Sequence, residues 1–262
     1  MMDWSRAKTI FILSFLVLDI FLIMQIMDQK SASTYDYLSE VSVEEQMAAD
    51  QITLPELPEG PDEEFYIEAN VKQFSPEEQN DTVQQGEQTV RKRHELLKRL
   101  DRPYELKEDW KIEDVNLFVK NHIEDGNEYR FWNYDKSENT ITYYQQYEGK
   151  VFYNNYDARI ILQLNDQNEI ISYSQTMLED ISEIKSQAIL SAHDAILILY
   201  KNRLLEKNDE VIDIDLGYYT LVPLKSSQIL APTWRISIAD KEDFFINAVE
   251  GHVFDEESQI MN

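Results

Sequence analysis

The chain has 262 residues, enough for one large domain or two small lobes once a membrane segment is set aside. Its 50 acids against 24 bases give a formal charge of -26, and a pI near 4.4 argues against binding to nucleic-acid phosphates or anionic headgroups. The absence of cysteine excludes disulfides, thiolate metal sites and cysteine nucleophiles, while 43% hydrophobic and 11% aromatic content points to a folded, sheet-rich body.

Residues 1–8 form a short N-terminus carrying Arg6 and Lys8, and residues 9–27 are a run of nineteen, thirteen of them Ile, Leu, Phe or Val. At ~1.5 Å rise per residue the run spans ~28 Å, about the hydrocarbon core of a bilayer. The apolar residues outweigh the cost of about 3 kcal/mol for Asp19, so a single membrane-crossing helix is expected. The cations ahead of it predict a cytoplasmic N-terminus and an extracytoplasmic remainder. The run exceeds a signal-peptide h-region, and Lys30-Ser31-Ala32 makes a poor cleavage site, so it reads as an uncleaved anchor. An ionisable side chain at mid-membrane is expected to face a partner. Ile12, Phe15, Asp19, Leu22, Ile23 and Ile26 share one helical face, the candidate partner interface.

Residues 28–63 read as an acidic, weakly structured stalk with Pro55, Pro58 and Pro61. A half-buried strand follows through Phe65, Ile67 and Ala69. Ser75-Pro76-Glu77-Glu78 predicts the start of a helix ending near 100–102. Strands are expected over 115–123, 129–134, 140–147, 150–153, 158–164 and 169–176, with turns at Asp125-Gly126, Glu148-Gly149 and 165–168. A second helix is expected over 186–205, with Ile189, His193, Ile196, Tyr200 and Leu204 on its apolar stripe, then strands over 211–222, 233–239 and 244–254. Glu148-Gly149-Lys150-Val151-Phe152 echoes Glu250-Gly251-His252-Val253-Phe254, and Tyr129-Arg130-Phe131 stands ahead of the first as Trp234-Arg235-Ile236 does ahead of the second. The expected class is α+β: an N-terminal transmembrane helix, then two similar helix-on-antiparallel-sheet lobes over 64–180 and 181–262.

Motifs for chemistry are missing. His94, His122, His193 and His252 have no metal-binding spacing, and no nucleophile elbow or phosphate-binding glycine loop occurs among six glycines. The acidic stretches at 165–169 and 213–215 lack the glycine and distal glutamate of a calcium loop. No catalytic, cofactor or metal residue is nominated, and a non-enzymatic protein without cofactor is expected.

The opening Met2-Asp3-Trp4-Ser5-Arg6-Ala7-Lys8-Thr9-Ile10-Phe11-Ile12 ahead of an apolar helix resembles the start of the YycI (WalI) family of Firmicutes. Length, absent cysteine, stalk, the Trp-Arg-Ile strand and the final Glu-Gly-x-Val-Phe hairpin look like that family over essentially the whole chain. The resemblance implies a membrane regulator of the WalK (YycG) sensor histidine kinase of a two-component system, acting with a YycH-type protein and tuning cell-wall metabolism. It further implies that the transmembrane helix carries much of the kinase contact. A different reading of the same lobes is a membrane-tethered, PepSY-like envelope module that binds a wall polymer or a protease. Such a module would survive replacement of its membrane helix; kinase regulation would not.

Overall fold

The computed structural model describes residues 8, 11, 13–16, 18, 43–75, 94–107 and 109–254. These fall into two compact units, one comprising the described residues up to Thr53 with Arg203–Asp209, the other drawn from Leu54–Asn202 and Glu210–Asn262.

In the first unit the described positions from 8 to 18 are helical, and so are residues 43–49. The expected weakly structured stalk thus contains a helical segment, with Val43 and Met47 buried one turn apart. The Thr53 amide donates to the Asp209 carbonyl at 3.0 Å and the Asn208 amide to Asp50 at 2.9 Å, tying the stalk to that loop. No helix among the described residues is long and apolar enough to cross a membrane.

The second unit holds a mixed sheet of eleven strands and two helices. In chain order these are β1 (Glu63–Val71), β2 (Leu96–Glu105), α1 (Ile112–His122), β3 (Tyr129–Asp135), β4 (Thr140–Tyr147), β5 (Lys150–Tyr153), β6 (Arg159–Leu164), β7 (Glu169–Gln175), β8 (Leu178–Ala188), α2 (Ala192–Lys201), β9 (Val211–Pro223), β10 (Ser227–Ile238) and β11 (Phe244–Asn247). The strand order is β2-β7-β6-β4-β5-β9-β10-β1-β8, with β3 also on β4 and β11 also on β10. All described pairs are antiparallel except β5 with β9, joined in parallel through only Phe152↔Tyr218 and Tyr153↔Tyr219. The class is α+β, as expected.

Four expected elements are corrected. The stretch 115–123 is a helix, not a strand: Val115, Phe118 and Val119 are buried at helical spacing, while Leu117, which an alternating strand would bury, is 55% exposed. Asp114 reaches back to accept the Lys111 amide at 3.1 Å, starting that helix. The expected end of the first helix is instead β2, paired with β7 from Leu96↔Gln175 to Glu105↔Glu169. Pro103 is tolerated there because β2 is an edge strand. The beginning of that expected helix, 76–93, lies outside the described residues. The second helix is shorter than expected, because 186–188 belong to β8. Ser191 caps it, its hydroxyl accepting the Asp194 amide at 3.1 Å while Asp194 accepts the Ser191 amide at 3.2 Å. Its buried residues are Ala192, Ala195, Ile196, Leu197 and Leu199, so of the expected stripe within this helix only Ile196 is buried, and His193 and Tyr200 are partly exposed. Finally, β10 begins at Ser227 rather than 233. Pro232 fits inside it because it falls between the stretch paired to β1 (Ser227–Leu230) and the stretch paired to β11 (Thr233–Ile236).

Apolar clusters pack the described part of the second unit, besides the buried residues under α2. Under α1, Phe118 and Val119 meet Ile141, Tyr143, Ile160, Leu162, Ile170 and Tyr173 from β4, β6 and β7. Ile67, Ala69, Tyr218 and Leu230 from β1, β9 and β10 form a second cluster, which takes Phe152 from β5. Tyr144, Val151, Tyr153, Tyr219 and Phe245 make a third, where β4 and β5 meet β9 and β11. Each fully buried large side chain contributes about 1.5–3 kcal/mol of apolar burial. The two echoed sequences share a backbone feature, since Gly149 and Gly251 both turn at positive φ, 79° and 70°.

Candidate functional site

Of the six residues nominated for a membrane interface, Phe15 lies among the described residues, helical and 61% exposed. Ile12, Asp19, Leu22, Ile23 and Ile26 lie outside them. Phe11, Leu13, Leu16 and Leu18 on the same segment are also exposed, so its apolar side chains face outward.

The second unit offers a polar seam where β3–β5 meet β9–β11. Glu64 on β1 is buried, bonded to Lys150 Nζ on β5 at 2.7 Å and accepting the Tyr218 hydroxyl at 3.2 Å. Arg130 on β3 donates to Asp215 on β9 at 2.8 Å, and the Tyr153 hydroxyl donates to the Asp215 carbonyl at 3.1 Å. Arg235 on β10 donates to Asp213 and, at 3.3 Å, to Asp243, with its guanidinium 5.1 Å from the Trp132 ring centre. Burial works against the Arg235 charge, but Tyr153, Asp243 and Asp213 outweigh it and hold its pKa above the ordinary value. Burial, then Asp215, pushes the Tyr153 hydroxyl up, and burial, then Glu64, does the same for Tyr218, so both remain neutral hydrogen-bond donors.

Glu64–Lys150 and Arg130–Asp215 join strands far apart in the chain, at spacings that sequence could not flag, while Arg235 pairs locally with Asp213 on the adjoining strand and with Asp243 eight residues on. They tie the strands of the seam together by side chains as well as by the backbone ladder. Of these pairs only Glu64–Lys150 has a buried carboxylate, and such a pair fixes alignment more than it stabilises, because desolvation offsets much of the attraction. The narrow β5–β9 pairing makes the seam the point at which relative movement of the two parts of the sheet would be resisted or permitted.

Among the described residues two grooves stand out, one beside Arg130 and one over the β2 edge of the sheet. One, of about 580 Å³, is lined by Asn116, Lys120, Asn127, Arg130, Phe131, Tyr143 and Gln146 with neighbours from α1 and β3. The other, of about 360 Å³, crosses β2, β7 and β6 over Leu97, Lys98, Arg99, Ile161 and Gln163. No carboxylate lines either groove in a chain with 50 of them, so their chemistry suits anionic or neutral polar groups. Among the described residues no cluster of His, Asp and Glu is arranged to hold a metal ion.

A crystal structure of an uncharacterized protein from Eubacterium rectale superposes with a TM-score of 0.49 at 9% identity, over 78% of this chain and 89% of that one. The Bacillus megaterium YpeB C-terminal domain superposes with a TM-score of 0.41 at 17% identity, over 59% of this chain and 67% of that one. No curated protein sequence matches. The family model described as YycI protein matches residues 32–249, which takes in every strand and helix of the second unit and begins after the apolar run 9–27. The chain belongs to the YycI family, a family of regulatory proteins with a role in the WalK system.

Proposed function

We propose that the chain is a non-enzymatic, single-pass membrane protein that modulates the WalK (YycG) histidine kinase together with a YycH-type protein. The observation that carries this reading is the family match over residues 32–249, joined to an apolar run of bilayer length directly upstream. Residues 1–8 are cytoplasmic, 9–27 cross the membrane, 28–63 form the stalk, and the rest lies outside the cell in two lobes over 64–180 and 181–262. Separate apolar clusters under α1 and around β10 support two lobes. β1, at the start of the first range, pairs with β8 and β10, so it is built into the sheet of the second.

The regulation is a population shift: the membrane helix packs on the kinase's own membrane helices and favours one signalling state by its difference in contact energy between states. Asp19, expensive in hydrocarbon, gains a partner there, with Ile12, Phe15, Leu22, Ile23 and Ile26 packing around it. The extracytoplasmic lobes hold the YycH-type partner, and the seam transmits changes between them.

Co-purification from native membranes tests this, comparing the intact chain, a swapped membrane helix and Asp19→Leu. The intact chain is expected to recover WalK and the YycH-type protein; the swap loses WalK and keeps the YycH-type protein. Retention of WalK by the swapped helix would overturn the membrane contact. Recovery of neither by the intact chain would favour a tethered envelope-binding module.

A further inference from the structure

The β9–β10 hairpin carries its apolar residues on the outside of its tip. Leu221, Val222 and Leu224 are 40%, 40% and 53% exposed, and Pro223, Lys225 and Ser226 are exposed with them. Four consecutive apolar residues facing water are a liability that a hairpin turn ordinarily avoids with polar residues, unless they have a use. The turn is closed by the Leu224 amide donating to the Ser227 carbonyl at 2.9 Å.

Its root is held firmly. Asn155 Nδ2 donates to Thr220 Oγ1 at 3.0 Å and to Gln228 Oε1 at 2.7 Å, and Gln228 Nε2 donates to Asp157 Oδ2 at 2.6 Å. Asn155 and Gln228 are each 3% exposed. A buried polar network with its partners in place presents the tip in one orientation, as a binding element requires.

The electrostatics narrow the occupant. From Leu216 to Trp234, Lys225 is the only charged residue, in a chain where acids outnumber bases 50 to 24. A second copy of this chain fits poorly, because its two grooves are lined by Lys98 and Arg99 or Lys120 and Arg130, the same sign as Lys225. A bilayer fits poorly too, because a chain with a formal charge of -26 is repelled by anionic headgroups. β1 pairs Asn70 with Ser227 beside the tip, while Glu63, where the chain enters the sheet from its N-terminal side, pairs with Ala188 at the far end. At ~3.3 Å per residue the seven steps from Glu63 to Asn70 put about 23 Å between them, so the tip lies at the opposite end of β1 from Glu63.

We infer that residues 221–226 are a docking wedge for a partner protein offering an apolar cleft with a carboxylate rim. Leu221, Val222 and Leu224 fill the cleft, and Lys225 pairs with the rim. This rests on the hairpin alone and not on the kinase reading.

The test is photo-crosslinking of the full-length chain in native membranes, with p-benzoyl-phenylalanine at the position of Leu224, and at Leu117 on α1, 55% exposed, as control. The expected result is one protein adduct from position 224 and none from 117. Val222→Asp should lower its yield about tenfold and Lys225→Glu severalfold, with the partner peptide mapping to an apolar segment flanked by Asp or Glu. Melting temperatures unchanged from the unsubstituted chain would separate lost docking from lost folding. An adduct to lipid, an adduct of twice the chain's mass, no adduct at 224, or one insensitive to both substitutions would each overturn the proposal.

Discussion

In the half of the sheet beneath α1, all five strands come from Leu96–Gln175, and most pair with neighbours through short turns. Around β10 the pairing is long-range: β1 is bonded to β8 and to β10, both more than a hundred residues away in sequence. The first half can form from local hairpins and a helix laid over them, whereas the second closes only when the N-terminal strand is captured. The charged pairs concentrate where the halves join, and the core of each half is apolar and aromatic.

The largest test of this difference is removal of one large side chain from each half. Phe118→Ala and Trp234→Ala should each cost about 3–5 kcal/mol, both side chains being 1% exposed. Hydrogen exchange should show Phe118→Ala releasing the amides of β3, β4, β6 and β7 while β1 and β10 keep more protection, and Trp234→Ala doing the reverse. Uniform loss in both would mean that the halves unfold as one unit.

At the join itself, a methyl on Gly217 would lie 2.5 Å from the Val151 carbonyl oxygen and 2.5 Å from the Tyr153 ring. Gly217→Ala should therefore cost on the order of 3 kcal/mol, read as a fall in the denaturation midpoint with loss of near-ultraviolet signal from the seam tyrosines. Lys150→Met leaves the buried Glu64 carboxylate with the Tyr218 hydroxyl and the Phe65 amide but no cation, and should cost about 2–3 kcal/mol. The double variant with Glu64→Leu should recover most of that loss, and failure to recover would show that the pair stabilises more than it aligns.

The smallest effect is in acid. The Lys111 backbone amide, then desolvation, then Lys107 act on Asp114, and the net result holds its carboxyl below the usual value at the start of α1. A depressed folded pKa stabilises above the unfolded carboxyl value and is lost as pH falls through the folded one. The contribution to α1 should therefore fade below about pH 3.9, and Asp114→Asn should flatten that part of the stability profile.

What could be read from the sequence follows the same division. The hairpins β3–β4, β4–β5 and β6–β7 were legible because their turns are local. Asn139, Glu148, Gly149 and Asn168 all sit at positive φ, as their residue types favour or tolerate. α1 was misread because Val115, Leu117 and Val119 alternate like a strand, and only packing reveals that Phe118 turns inward and Leu117 outward. β8 went unread because an edge strand hides little: of its residues only Leu178 is buried, and Glu179, Asp180 and Glu183 keep its free edge wet. The seam pairs Glu64–Lys150 and Arg130–Asp215 were out of reach, since nothing in a single sequence marks which of many acids meets which base. The nominated membrane face is a sequence pattern of which only Phe15 lies among the described residues.

The measurement that bears most directly on the account is the autophosphorylation rate of WalK reconstituted in proteoliposomes with the full chain, with Asp19→Leu, and with an unrelated membrane helix in place of 9–27. The account predicts that the intact chain changes the rate, that Asp19→Leu weakens the change, and that the swapped helix abolishes it. A rate unaffected by the intact chain, or changed equally by the swapped one, would contradict it.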